Sequence, residues 1–147
     1  MIEEYFRTTY IALLKYSDRK EKILNVKFSP YDMVDISNGD KTVEEVFAST
    51  LSFQNIHKIC SNFHALDNKL DIGQALKKPY HNRKKNLYEQ INDILERRHG
   101  LIHRLEIDDS YRTENLQRDI QDVTIAIKRV YDYLCQYYDW EKQELSL

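Results

Sequence analysis

Three side chains of this 147-residue chain have the types and spacing to do chemistry together: Arg98, His99 and His103, within Glu96-Arg-Arg-His-Gly-Leu-Ile-His-Arg-Leu105. An arginine keeps its charge at any working pH, and its planar fork can hold two phosphate oxygens. A histidine exchanges a proton near neutral pH. The pair suffices to cleave RNA without a metal. The imidazole takes the proton from the ribose 2′-hydroxyl, or gives one to the leaving 5′-oxygen, while the guanidinium stabilises charge growing on the phosphorane. The 2′-hydroxyl is the nucleophile, so RNA is a substrate and DNA is not. The bland alternative makes Arg98 a buried ion-pair partner of an acid on the last helix, and His103 a boundary residue. Residue types alone do not choose between the two.

A helix must carry these groups. Leu87, Ile91, Ile94 and Leu95 recur at helical spacing upstream of the cluster, and Ile102 and Leu105 continue the stripe downstream. Wound at about 100° per residue, Arg98 falls within about 20° of Leu87, in the middle of that stripe. The pattern therefore predicts Arg98 on a covered face, either paired or lining a cleft, because an unpaired buried cation is costly. His99 and His103 sit one turn apart on the flank.

The remaining elements are helical too. Residues 2–24 read as a first helix carrying Ile2, Phe6, Thr9, Leu13, Tyr16 and Ile23 on one stripe. Residues 25–41 read as a loop, since Ser29-Pro30 blocks helix continuation and Ser37-Asn38-Gly39-Asp40 is turn chemistry. Thr42-Val-Glu-Glu45 is a capping box that starts a helix with Val43, Val46, Phe47 and Leu51. Ile56, Ile59, Cys60, Phe63 and Leu66 form the next pattern, restarted near Ser52, and 67–81 reads as turns around a partial helix. The motif helix is expected over 82–105. A long last helix is expected over 113–138, with Leu116, Ile120, Val123, Ile127, Val130, Leu134 and Tyr137 as its apolar face. With three glycines and two prolines in all, the chain is expected to form one all-α domain over 1–147, a bundle of about four to five helices.

Composition narrows the setting. Cys60 and Cys135 are the only cysteines, so no disulfide framework is implied and a cytoplasmic location is expected. The start of the chain has no basic stretch followed by an apolar run, and no segment approaches about 18 uninterrupted apolar residues, so no membrane span is expected. Residues 77–104 hold eight lysines and arginines against three acids, a local charge of +5, within a chain of net charge −2. Such a zone fits a confined anion site, with Lys77, Lys78, Arg83, Lys84, Lys85, Arg97 and Arg104 as the candidate RNA-binding cations. A solvated basic turn leading into a helix is its bland counterpart. Metal chemistry is less favoured. His57, Cys60 and His64 could share a face, as could His99 and His103, but neither set has the glutamate of a His-Glu-x-x-His site. Cys60 also falls on an apolar stripe, the ordinary place for a buried thiol. No Gly-x-Ser-x-Gly turn or glycine-rich phosphate loop is present. No metal and no cofactor are expected.

Arg98-His99-Gly-Leu-Ile-His103 matches the Arg-x4-His motif of HEPN domains (higher eukaryote and prokaryote nucleotide-binding), in the form with a polar residue after the arginine. The surrounding layout over roughly 40–140 resembles the RiboL-PSP type: a capped helix after a turn-rich lead-in, a basic approach, the motif near the end of a long helix, then a long last helix. The resemblance implies an all-α bundle, a two-fold homodimer with motifs from both chains in one composite cleft, and a metal-independent endoribonuclease. Such enzymes act as prokaryotic toxins or as antiviral and stress effectors, which implies an antitoxin-like partner protein. Carried over by position, Arg98 is the phosphate-binding catalytic arginine, His103 the catalytic histidine, and His99 the polar residue that assists them. Arg97 meets the looser Arg-x5-His spacing but winds about 80° from the stripe centre. Leu105 stands where toxins silenced by nucleotidylation carry a tyrosine, so that regulation is not implied here. The rival reading is a HEPN-like module that binds RNA or a partner protein and cleaves nothing.

Overall fold

A computed structural model describes residues 2–80, 83–107 and 109–143. Eight helices and no strand occur among the described residues: α1 (Ile2–Lys15), α2 (Lys20–Ile23), α3 (Pro30–Asn38), α4 (Val43–Ser49), α5 (Ile56–Leu66), α6 (Ile72–Lys77), α7 (Leu87–Arg104) and α8 (Thr113–Tyr138). The architecture is an all-α bundle with a long C-terminal helix, as the periodicity predicts. α7 packs against α5, α6 and α8, and α1 lies against α4 and α5. Phe6, Tyr10, Phe63, Ile59, Leu87, Ile91 and Leu95 meet in one core. Phe63 takes the rings of Phe6 and Tyr10 edge-on, with centroids 6.2 and 5.8 Å away.

Local chemistry explains where the elements depart from expectation. The first helix stops at Lys15, because Ser17 turns its hydroxyl to the Arg19 N–H (3.2 Å) and so competes with helical bonding. Tyr16, expected on the buried stripe, is exposed, and Ile23 belongs to the separate α2. The expected loop at 25–41 contains α3. Pro30 does block a helix arriving from before it, but at the first helical position its missing N–H costs nothing, and here it opens a new one. Ser29 and Asp32 form a reciprocal cap, and Gly39 closes the helix at φ 78°. The Thr42–Glu45 capping box is present as expected. α7 starts at Leu87 rather than 82, where Asn86 accepts from the Glu89 N–H at 3.0 Å.

One buried charge ties the basic approach to α8. Asp122 is wholly buried, and its two oxygens accept from Nη1 of Arg83 at 2.7 and 2.6 Å. The Tyr80 hydroxyl also bonds it, and burial first, then that carboxylate, raises the Tyr80 pKa. Arg129 of α8 donates to the carbonyls of Lys78 and Pro79, both at 2.9 Å, and its guanidinium lies over the Tyr80 ring. Asp122 gives no sign of burial in the sequence, because only the packing of other elements against α8 puts it on the core side.

A second tie closes the other side of the bundle. Tyr137 donates to Asp67 Oδ2 at 2.7 Å. The Asp67 carboxyl is held below the usual range, first by the Lys69 N–H and then by that hydroxyl. Tyr137 is in turn pushed up to about 12, mainly by the bond to Asp67. The signs are opposite. A lowered carboxyl stabilises above its unfolded pKa of about 4 and stops doing so as pH falls through the folded value. A raised phenol stabilises below about pH 10, and that contribution is lost between about 10 and 12. The difference in melting temperature between the wild type and Tyr137→Phe should therefore be largest between these limits and shrink on either side. A difference constant across pH would assign Tyr137 a packing role only.

Candidate functional site

The core ends at Leu95, and the last two turns of α7 run on beyond it. Arg98 and Ile102 point in the core direction but have no core left to face. Arg98 keeps 46% of its side chain exposed, and Ile102 and Leu105, expected to be buried, are open to solvent. The first turns of α8 overhang in the same way, which leaves Leu116 and Ile120 exposed. Leu105 ends α7 in the left-handed region (φ 54°), its N–H bonded to the Gly100 carbonyl. That turn folds Glu106 back over Gly100, where a Cβ would stand 2.6 Å from the Glu106 carboxylate.

A groove of about 330 Å³ opens here, lined by Ile94, Arg97, Arg98, Leu101, Ile107 and Tyr111 among others. Each arginine at this end already holds a carboxylate of its own chain. Arg98 pairs with Glu3 in the first turn of α1. Arg97 pairs with Asp119 of α8 at 2.6 Å, with the Tyr111 ring 4.6 Å from the guanidinium and the Tyr111 hydroxyl 2.8 Å from the same carboxylate. Arg104 reaches Glu106 at 3.3 Å. The acid on the last helix expected for Arg98 thus belongs to Arg97, and the partner of Arg98 comes from the first helix. Glu3, Tyr111 and Asp119 gave no sequence signal, since contacts between separate elements, 95 residues apart for Glu3 and Arg98 and 22 for Arg97 and Asp119, leave no local pattern.

The histidines are elsewhere. His99 and His103 pack on each other, with ring centroids 4.4 Å apart, and neither lines the groove. His103 lies five positions after Arg98, about 140° around the helix. The histidines expected on the flank thus form a side of their own, apart from the arginine side, with the exposed Ile102 between them.

The expected phosphate-binding cations are only partly open. Arg83 is committed to Asp122 and Lys85 to Asp93, and the Lys77 ammonium lies 5.0 Å from the Tyr88 ring centroid. Arg83 is the most committed of these, because its guanidinium neutralises a buried carboxylate. Lys78 and Lys84 are exposed. His57 and His64 are exposed while Cys60 turns inward, where burial pushes its thiol up to about 12. Among the described residues, no three His, Cys, Asp or Glu side chains are grouped so as to hold a metal ion.

Fold and site together define an all-α bundle whose central helix carries an Arg-x4-His sequence out past the core. No family model, curated protein or solved structure matches this chain. None of the helices among the described residues is long and apolar enough to cross a membrane.

Proposed function

We propose that the chain is a HEPN-type, metal-independent endoribonuclease that works as a homodimer, with Arg98 of one protomer and His103 of the other serving one scissile phosphate. The carrying observation is the split of the motif around Ile102. Within one chain the arginine groove and the histidine pair lie on different sides of the helix. A two-fold axis passing near Ile102 would set the groove of each copy against the histidines of the other. The exposed Leu101, Ile102, Leu105 and Ile107 surround that position and supply the apolar contact such a dimer needs. In this reading Arg98 holds the phosphate and stabilises the phosphorane. His103 moves the proton, and His99, against its ring, keeps it oriented. A prokaryotic toxin or defence effector is the setting this chemistry suits, with an antitoxin-like protein as the natural restraint.

One observation favours the non-catalytic alternative in its protein-binding form: Arg97, Arg98 and Arg104 are already paired. A single experiment separates the two. Wild type, Arg98→Ala, His103→Ala and an equal mixture of the two variants are incubated with single-stranded RNA in EDTA. The expected result is cleavage by the wild type to ends bearing 2′,3′-cyclic phosphate, silence from each variant alone, and partial recovery in the mixture. Mixed dimers would hold one intact Arg98 and one intact His103 across the interface. Cleavage of DNA, or dependence on added divalent metal, refutes the mechanism. A monomeric wild type fully active on dilution refutes the shared site.

A further inference from the structure

The three acid partners at the end of α7 are not equivalent. Asp119 is locked into a network, because it takes both Arg97 and the Tyr111 hydroxyl while the Tyr111 ring covers the guanidinium. The Arg104–Glu106 pair has both side chains 59% exposed, and pairs of that kind hold loosely. The Arg98–Glu3 pair is intermediate: Glu3 keeps only 19% of its side chain exposed, while Arg98 opens into the groove. Glu3 takes a single nitrogen of the guanidinium, Nη1, so the other donors of the fork are not used by it.

Resting on the ribonuclease reading, we infer that Glu3 is a built-in competitor for phosphate, an intrachain carboxylate that occupies Arg98 and must be displaced or outbid before RNA is held. The physics is direct. Opposite charges in contact attract, and like charges at the same separation repel with similar strength. A phosphate seated on Arg98 would lie at a similar distance from the Glu3 carboxylate, so attraction by one is largely offset by repulsion from the other. The groove thus meets an approaching RNA as a neutral pair rather than as a cation. Glu3 belongs to the first turn of α1, where an acidic side chain complements the helix dipole. The contact also joins the first element of the fold to the end of the motif helix. Any movement of α1 away from α7 would therefore free Arg98.

Glu3→Gln keeps the side chain's shape and removes the competing charge. The test measures binding of a single-stranded 2′-O-methyl RNA, which lacks the nucleophile and cannot be cut, by fluorescence anisotropy across a salt series. Glu3→Gln is expected to bind about tenfold more tightly than wild type at low salt, the scale of one freed contact to phosphate. The plot of log affinity against log salt should also steepen by about 0.7, the increment for one more neutralised phosphate on a single strand. A residue acting only through fold stability would leave that slope unchanged. Both gains should vanish in the double variant Glu3→Gln/Arg98→Ala. Equal or weaker binding by Glu3→Gln, or gains that persist without Arg98, overturns the competitor role and leaves the ribonuclease reading standing. Failure of wild type and Glu3→Gln alike to bind the RNA overturns both.

Discussion

Asp122→Ala is expected to lower the stability of the fold by about 3–5 kcal/mol, the cost of removing one partner from a buried ion pair. The carboxylate is fully buried, and the guanidinium it neutralises is only 27% exposed. Truncating Asp122 leaves Arg83 with its charge at the edge of the core and nothing to accept its two bonds. It also strips Tyr80 of a partner. Arg83→Ala should cost a similar amount, for the complementary reason that it strands the carboxylate. The double replacement Arg83→Met/Asp122→Leu should recover most of the loss, because apolar groups of similar volume ask for no partner. Urea unfolding of the four proteins measures this, with midpoints compared at equal slope. Single variants within about 1 kcal/mol of wild type would mean that water, not protein, satisfies these groups. The series also separates stability from RNA binding in the basic approach. Arg83 substitutions should act on folding, while Lys78 and Lys84 substitutions, at exposed positions, should leave folding unchanged.

What the sequence could and could not disclose follows from the range of the interactions. Caps are local, so Thr42–Glu45 could be read directly. Periodicity is local as well, and it placed α5, α8 and the end of α7 to within a few residues, but not the start of α7. Pro30 misled because the same residue stops one helix and starts another, and only the Ser29–Asp32 cap decides which. The stripe on α7 was correct in direction but not in extent. A repeat of apolar residues does not say where the covering layer stops, and here it stops at Leu95, leaving Ile102 and Leu105 exposed. The need for Arg98 to be paired or to line a cleft was legible, and it does both. Its partner was not legible, because Glu3 lies 95 residues away on a helix whose register against α7 depends on the whole core. The burial of Asp122 was hidden for the same reason. A carboxylate among the polar residues of α8 looks solvated until α6 is laid against that helix.

Arg98→Lys is the sharpest test of whether the site is chemical or only structural, and about a 10²-fold loss of RNA cleavage is expected from it, with little change in melting temperature. A lysine ammonium could still reach Glu3, so the ion pair that joins α7 to α1 survives in kind. Such half-exposed pairs contribute about 1 kcal/mol at most. What the substitution removes is the planar fork. One ammonium can touch one phosphate oxygen, but it cannot hold two in fixed directions while charge builds on the phosphorane. Loss of a single preorganised donor to a transition state commonly costs two to three orders of magnitude, against a few-fold in ground-state binding. The expected signature is therefore a fall in kcat with RNA affinity and salt dependence nearly unchanged, since the charge is kept. Arg97→Lys makes the contrasting case. Arg97 stacks on Tyr111 and holds Asp119, so its replacement should loosen the wall of the groove and lower the melting temperature before it touches the chemistry. If Arg98→Lys cleaves as fast as wild type, charge alone suffices at this position and the phosphate-fork role is wrong. If it melts early and cleaves in proportion to the folded fraction, Arg98 is a structural ion-pair partner of Glu3 and nothing more.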